Sequence, residues 1–386
     1  MRRTLLLGCL LFLISIIGFS QPDSCSTRIS MLTCSPGIDL YSTFGHTAIR
    51  VQDPMAGTDI VYNYGTFEFS PDFYIKFIRG KLNYALATES YADFLYTYQY
   101  ESRSVVEQEL LLTCAQKEQL WMALQQNATP ENRFYLYDFL FDNCTTRARD
   151  MIVAHAGKPV TVPNVLPDSN TTFRNMLHTY LDRGGQHWSK LGIDILLGSR
   201  IDRKVEQNEA TFLPDFLLKA MNGATGGGSR IATDPQPLLT MPSTLNKGTL
   251  LLPSVVFGAV LLLALVLSFY KRGAAQKALR IFDRSLFVLL GLAGVLLVFM
   301  WVGTDHRDTK DNFNLLWAMP THLLGAYLLG RGTKGEHLYF KAVFWITVGL
   351  LATWAFLPQQ LNTALLPLVA TVALRSGMLG KLFGHA

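Results

Sequence analysis

The amino-acid composition of this chain changes abruptly near Lys247, and this change limits the possible folds more than any other feature. Two long apolar runs come after it, GTLLLPSVVFGAVLLLALVLSFY at 248–270 and SLFVLLGLAGVLLVFMWVG at 285–303. A helix made of either run can cross the hydrocarbon core of a bilayer, which is about 30 Å thick. Three weaker apolar stretches follow, at 315–329, 342–357 and 361–374. The sequence therefore predicts an all-α transmembrane bundle of about five helices over 248–386.

The loops between these runs differ in charge. Loop 271–284 has five basic residues and one acidic residue, whereas loop 304–314 has two basic and three acidic residues. Because basic loops of multi-pass proteins stay in the cytoplasm, the alternation predicts a cytoplasmic C-terminus and places the preceding domain across the membrane. This bias accounts for the formal net charge of +5 without a nucleic-acid partner.

The N-terminal part of the chain has the layout of an exported domain. Two arginines precede an apolar run from Leu5 to Phe19, which predicts a signal peptide or an uncleaved signal anchor over 1–21. Residues 22–221 have the polar and aromatic composition of a globular domain. Residues 222–247 are rich in Gly, Pro, Ser and Thr, which is typical of a linker.

A histidine follows a glycine in the segment YSTFGHTAIRV, residues 41–51. Side chains alternate from His46 onward as in a strand, QDPMAGT supplies turn residues, and DIVYNYGTF is typical of a returning strand. The sequence therefore predicts a β-hairpin in which His46 lies near one end, beside Asn63 or Tyr64.

A cysteine opens a predicted helix in the segment FDNCTTRARD, residues 141–150. Asp142 or Asn143 would cap this helix and place Cys144 in its first turn. The helix dipole would favour a thiolate there, and a nearby imidazole would lower the thiol pKa further and transfer protons. The N–H groups of that turn could hold an oxyanion. Cys144, His46 and Asn63 are therefore candidate catalytic residues for thiol-based acyl transfer.

A plainer interpretation assigns both residues to packing. Free cysteines are usually buried, and Cys144 would lie on an apolar helix face. Three further cysteines follow the signal segment, namely Cys25, Cys34 and Cys114. One disulfide among these three is compatible with export, but the spacing does not assign it. A catalytic Cys144 would have to stay free.

The order of the motifs is similar to that of circularly permuted papain-like folds. A histidine on an early strand, a polar residue on the next strand and a later Asn-Cys helix are found in the lecithin:retinol acyltransferase group and in permuted NlpC/P60 proteins. This resemblance implies an α+β fold for the exported domain, with the transmembrane bundle after it.

A closer resemblance covers roughly residues 30–330. The segments LTCSPGIDLYSTFGHTAIRV, YNYGTFEF, FDNCTTRARD, LLGSRIDRK and TDHRDTKDNFNLLWAMPTHLL resemble the Lnb family of lipoprotein N-acyltransferases from Bacteroidota. The resemblance implies that a phospholipid acyl chain passes to Cys144 as a thioester and then to the α-amine of a diacylglyceryl-cysteine apolipoprotein. It also implies a bacterial inner-membrane enzyme whose catalytic domain lies in the periplasm.

Further residues are candidates for supporting or substrate-binding roles: Tyr64, Asn143, Arg147, Cys34, His306 and Asn312. Arg147 could bind a phosphate head group, although solvent exposure or an ion pair is the commoner state of such an arginine. His306 and Asn312 are expected at the outer membrane face, where charged segments usually mark the interface. The sequence has no metal-ligand spacing and no nucleotide-binding motif, so neither a metal nor a cofactor is expected.

Two other functions are compatible with the same features. A membrane-tethered cysteine amidase or peptidase acting on cell-wall peptides would use the same dyad, with water as the acceptor instead of an amine. A non-enzymatic membrane module that binds lipid or a partner would keep its function after Cys144→Ser and His46→Ala.

Overall fold

The computed structural model describes residues 25–67, 71–243, 251–270 and 273–383. A sheet-rich N-terminal region comes first and a helical C-terminal region follows it, as the sequence predicts. The predicted signal segment, 1–21, lies outside the described residues.

An antiparallel sheet of seven strands forms the centre of the N-terminal region. Its strands are β1 (Arg28–Cys34), β2 (His46–Asp53), β3 (Thr58–Thr66), β4 (Asn83–Ser90), β5 (Val105–Glu109), β6 (Phe134–Leu136) and β10 (Gln236–Leu239). They are arranged in the order β10-β5-β1-β2-β3-β4-β6. A smaller sheet contains β7 (Val160–Thr161), β8 (Thr225–Gly226) and β9 (Ser229–Arg230).

Helices cover both faces of the large sheet. Those described in this region are α1 (Phe73–Ile78), α2 (Tyr91–Tyr100), α3 (Cys114–Asn127), α4 (Cys144–His155), α5 (Phe173–Arg183), α6 (His187–Leu196) and α7 (Pro214–Asn222). Ile49 of β2 belongs to the same buried cluster as Ala148 and Ile152 of α4. Its neighbour Ala48 points to the opposite face and clusters with Phe94 of α2. The alternation along β2 therefore supplies two cores, one on each face of the sheet.

Strands β2 and β3 form the predicted hairpin, with Ile49 opposite Tyr62. Because the two strands are antiparallel, the start of β2 and the end of β3 lie at the same end of the sheet. His46, the first residue of β2, is at this end, and it lies opposite Cys34, the last residue of β1. We call this end of the sheet the His46 end.

Much of the predicted linker, 222–247, is folded. Strands β8 and β9 form a short hairpin there, and β10 pairs with β5 at the edge of the large sheet. Gly and Pro residues indicate turns and interrupted strands. They do not show whether a segment pairs with a strand that is distant in the sequence, so the composition alone predicts a linker. Pro237 is tolerated because β10 is an edge strand. Residues 244–250 lie outside the described residues, and the domain boundaries stay predictions.

The described residues of the C-terminal region include α8 (Pro253–Phe269), α9 (Gly273–Val302), α10 (His322–Leu328), α11 (Lys334–Thr353) and α12 (Leu366–Leu379). Two segments among them are long and apolar enough to cross a membrane, Gly273–Val302 and Lys334–Phe356. The number of membrane crossings therefore stays a prediction. Helix α9 also includes most of the predicted loop 271–284. An apolar run indicates which residues can lie in the hydrocarbon core, but a helix can begin before the apolar run does.

Polar side chains join the two regions. Asn312, in the loop after α9, donates from Nδ2 to the backbone oxygen of Ile195 in α6 (2.8 Å). Asn362 donates to the carboxylate of Asp194 in the same helix (2.8 Å). Asp194 is fully buried and also binds Arg174 (2.7 Å). Because a buried charge that loses its partner is strongly destabilising, these contacts fix α6 against the helical region.

Candidate active site

Cys144 is the first residue of α4, and Asn143 is its N-cap. The side-chain oxygen of Asn143 accepts hydrogen bonds from the N–H groups of Thr145 (2.8 Å) and Thr146 (2.9 Å). Its amide group donates to the backbone oxygen of Phe139 (2.7 Å). The cap is buried and bonded at both ends, so it holds Cys144 at the positive end of the helix dipole.

The side chain of His46 is fixed by Asn63 of β3. His46 Nε2 donates to Oδ1 of Asn63, and Asn63 Nδ2 donates to the carboxylate of Glu89 (2.9 Å). A carboxylate only accepts hydrogen bonds, so Glu89 sets the orientation of the amide, and the amide oxygen sets the tautomer of the imidazole. The other ring nitrogen of His46 is therefore left for the thiol.

The thiol of Cys144 and the imidazole of His46 interact, and each shifts the pKa of the other. Burial alone would raise the pKa of the thiol, but the charge of His46 and hydrogen bonding to it outweigh burial and lower this pKa to about 7. Burial likewise opposes protonation of His46, yet the Cys144 thiolate raises the imidazole pKa above its ordinary value. The pair therefore favours a thiolate beside an imidazolium near neutral pH.

Tyr64, the alternative partner predicted for His46, points the other way. Neighbouring residues on a strand face opposite sides of the sheet, and Tyr64 lies in the core on the α4 side. Its hydroxyl donates to Oδ1 of Asn127 (2.6 Å). The structure thus brings Asn63 to His46 and gives Tyr64 a partner elsewhere.

The first turn of α4 has few N–H groups left for an oxyanion. The sequence pattern favoured these groups as oxyanion donors, but the Asn143 side chain occupies those of Thr145 and Thr146. The Asn143 side chain does not bind the N–H group of Cys144, so this group stays available to an oxyanion. A second donor has to come from another element.

The hydroxyl of Tyr135 is a candidate for this second donor, and it is not among the residues predicted from the sequence. It is buried and has no hydrogen-bond partner among the described residues. A Cβ placed on Gly65 would lie 3.3 Å from the Cys144 Cβ and 3.9 Å from the Tyr135 hydroxyl, so this glycine keeps the space between them open. Burial, and secondly the Cys144 thiolate, raise the pKa of Tyr135, which therefore stays protonated. The signal in the sequence is the aromatic run YLYDF at 135–139, just before the cap.

The glycine at position 65 meets a backbone requirement as well. The register of β3 against β4 shifts between Tyr64 and Thr66, and Gly65 has a φ of +88°. Only glycine adopts this conformation readily, so the bulge and the open space beside Cys144 have the same cause.

Cys34 is buried and free. Burial raises the pKa of its thiol to about 12, so it is protonated at neutral pH. Cys34 packs with the apolar side chains of the α2 core and is hydrogen-bonded to Tyr98, so we interpret it as a packing residue. The disulfide joins Cys25 and Cys114, which resolves the pairing that the spacing left open.

The remaining candidates each have structural partners. The Arg147 guanidinium is paired with Asp142 (2.6 Å) and lies 3.7 Å from the centre of the Tyr135 ring. The carboxylate of Asp142 therefore balances the charge of Arg147, and the guanidinium packs against the face of the Tyr135 ring. His306 and Asn312 lie in the loop after α9 and donate to backbone oxygens of the N-terminal region.

The arrangement suits attack by a thiolate on an acyl carbonyl. Cys144 can supply an ionised nucleophile, His46 can give a proton to a leaving group, and the Tyr135 hydroxyl lies near the open space between Gly65 and Cys144. Among the residues that the structure describes, no group of three or more His, Cys, Asp or Glu side chains is placed to hold a metal ion.

Comparison with protein families gives two matches. The model of the Lnb N-terminal periplasmic domain matches residues 19–178, and the model of the Lnb transmembrane domain matches residues 245–383. The two ranges take in most of the chain, and the first contains His46, Asn63, Tyr135 and Cys144. No curated protein and no solved structure was found to match the chain.

Proposed function

Because the chain belongs to the Lnb family, we propose that it is a lipoprotein N-acyltransferase that carries the acyl group on Cys144 as a thioester. Membership of the family implies a lipoprotein N-acyltransferase-like role for a membrane protein with a periplasmic domain. The observation that most supports the finer proposal is the lowered pKa of the Cys144 thiol beside His46. Transfer through a thioester needs a nucleophile that is ionised at neutral pH.

In the first proposed step, the Cys144 thiolate attacks an ester carbonyl of a phospholipid. The carbonyl oxygen becomes an oxyanion, which the Tyr135 hydroxyl and the Cys144 N–H stabilise. The ester C–O bond then breaks, and His46 as imidazolium gives its proton to the departing alkoxide. The products are an acyl thioester on Cys144 and a lysophospholipid.

In the second proposed step, the α-amine of a diacylglyceryl-cysteine apolipoprotein attacks the thioester. The neutral His46 takes a proton from this amine, the C–S bond breaks, and the Cys144 thiolate is released. The product is an N-acylated lipoprotein, and the original thiolate and imidazolium are restored. Asn63 and Glu89 keep the imidazole in one orientation through both proton transfers.

Both proposed substrates are anchored in the bilayer by acyl chains, which is consistent with a chain in which the thiol domain is joined to apolar helices by polar contacts. We propose a multi-pass protein of the bacterial inner membrane, with the Cys144 domain in the periplasm and the C-terminus in the cytoplasm. The basic residues near 271–284 support this orientation.

The test is a reaction of the purified full-length protein, reconstituted in phospholipid bilayers, with a diacylated reporter lipopeptide. Mass spectrometry should detect one acyl chain on the α-amine of the reporter and an equal amount of lysophospholipid. Cys144→Ala should abolish both products, and Arg149→Lys serves as a matched substitution on the same helix. Release of free fatty acid without any N-acylated reporter would instead show a hydrolase, and transfer by Cys144→Ala would overturn the thioester route.

A further inference from the structure

We propose that the acyl chain of the donor reaches Cys144 from the outer leaflet of the bilayer along a row of aromatic rings that begins at α1. This inference rests on the proposed function and specifies where the fatty acyl chain lies. The aromatic row consists of Phe77, Phe73, Phe67, Tyr84 and Tyr137.

Helix α1 lies at the end of a membrane-spanning helix. It follows β3 in the chain and therefore leaves the sheet at the His46 end. His306, four residues after the end of α9, donates from Nε2 to the backbone oxygen of Phe77 (2.9 Å). The N–H group of Asp305 donates to the backbone oxygen of Arg79 (3.0 Å). Helix α1 is therefore held at the level where α9 leaves the bilayer.

The outward side chains of α1 are apolar. Ile75, Phe77 and Ile78 are 63%, 51% and 44% exposed, and Val302 at the end of α9 is 77% exposed. The apolar surface of α1 is thus continuous with a lipid-facing helix end. Lys76 also lies on α1, where it pairs with Asp72 (2.8 Å) and stays about half exposed, so its ammonium group can also meet the phosphates of the head groups. An amphipathic segment of this kind at this height fits a lipid surface.

The aromatic row connects this surface to the thiol. The ring centroids are 6.3 Å apart for Phe77 and Phe73, 5.4 Å for Phe73 and Phe67, 5.4 Å for Phe67 and Tyr84, and 4.1 Å for Tyr84 and Tyr137. Tyr84 and Tyr137 pack against the same core as Cys144. A saturated chain lying along these rings would extend from the leaflet toward the core against which Cys144 packs.

A second exposed apolar edge precedes His46 in the chain. Ile38, Leu40 and Tyr41 precede β2 and are at least half exposed. Gln186, which lies two residues before Trp188, donates to the backbone oxygen of Ile38 (2.9 Å). The Trp188 indole N–H donates to the backbone oxygen of Leu251 at the start of α8 (2.8 Å). The His46 end of the sheet therefore meets the helical region on both sides of the site.

Photocrosslinking in bilayers tests the lipid contact without requiring turnover. The full-length Cys144→Ala protein, in nanodiscs of phosphatidylethanolamine and phosphatidylglycerol, would carry a photoreactive phenylalanine analogue at position 77. Position 55 is the control, because Met55 is 85% exposed in the β2–β3 turn at the opposite end of the sheet. We expect lipid adducts at 77 and none at 55. Equal yields at both positions would overturn the proposal.

Donor selectivity tests the path. Phe77→Asp and Met55→Asp would be compared using long-chain phosphatidylethanolamine in vesicles and dihexanoyl phosphatidylethanolamine in solution. The ratio of long-chain to short-chain rates should fall at least about threefold in Phe77→Asp and stay constant in Met55→Asp. An unchanged ratio in Phe77→Asp would overturn the path, including when both rates fall together. A wild-type protein inactive with either donor would overturn the proposed function, while the crosslinking result would still stand.

Discussion

His46 and Asn63 are joined by a side-chain hydrogen bond across the β2–β3 hairpin, and Glu89 holds the amide that makes this bond. The arrangement places the Nε2 proton of His46 toward Asn63, so the other ring nitrogen serves the Cys144 thiol. The orientation of the proposed base thus depends on one strand residue and on the carboxylate behind it.

Removing the Asn63 amide should disturb the orientation of the imidazole while Cys144 stays in place at the start of α4. We expect Asn63→Ala to lower kcat for acyl transfer at least about tenfold, because a positioned base contributes about 10²–10⁴ to the rate. Tyr64→Phe is the matched control on the same strand, since its hydroxyl binds Asn127 and not His46. Steady-state rates with the reporter lipopeptide measure both variants. Equal losses in the two variants would mean that only the packing of β3 matters.

The reactivity of Cys144 should depend on pH near neutrality. The thiol pKa is about 7, so alkylation by iodoacetamide should slow as the pH falls through 7 and the thiolate takes up a proton. In His46→Ala the burial of the thiol remains and the neighbouring charge is lost, so the midpoint should move above the ordinary cysteine value.

Alkylation rates from pH 5 to 10, followed by peptide mass spectrometry, give both midpoints. Cys34 is the internal control, because it is buried and its thiol is protonated across most of this range. Identical midpoints in the wild type and in His46→Ala would show that the imidazole does not control the thiol.

Tyr135→Phe should separate catalysis from stability. Loss of one oxyanion donor costs about 10²–10³ in kcat. Stability should be unchanged or slightly higher, because the hydroxyl is buried and has no hydrogen-bond partner among the described residues. Thermal unfolding and steady-state kinetics of the same preparation test the two parts. An unaltered kcat would remove Tyr135 from the proposed oxyanion site.

The Asn143 cap should stabilise α4 and position Cys144 together. Asn143→Ala removes the acceptor for two N–H groups and should lower the free energy of unfolding by about 1–2 kcal/mol. The thiol pKa should rise in the same variant as the first turn frays. Asn143→Ser retains a capping oxygen and should recover part of the stability. Chemical denaturation and the alkylation profile measure these effects, and a stable Asn143→Ala protein would contradict the role of the cap.

Local features of the site could be predicted from the sequence. The hairpin beginning at His46 and the helix beginning at Cys144 follow from short-range alternation and capping, and the structure confirms both. The choice between Asn63 and Tyr64 stayed open because it depends on the register of β3 against β2. Once the register is known, the alternation of side chains shows that Asn63, and not Tyr64, lies beside His46.

Features that depend on distant pairing could not be predicted. Tyr135 lies near Cys144 because the short strand β6 pairs with β4, with Tyr84 opposite Tyr135. A strand of three residues has too few positions to show a periodic pattern. The composition of the segment around β10 indicates a linker for a similar reason, since its partner β5 is remote in the sequence.

The most direct test of the thioester proposal is the mass of the wild-type protein after incubation with phospholipid and no acceptor. We predict one acyl adduct on the peptide that contains Cys144. Hydroxylamine should release it, and Cys144→Ala should lack it. An adduct on another residue, or N-acylated reporter formed without any acyl-Cys144, would contradict the account.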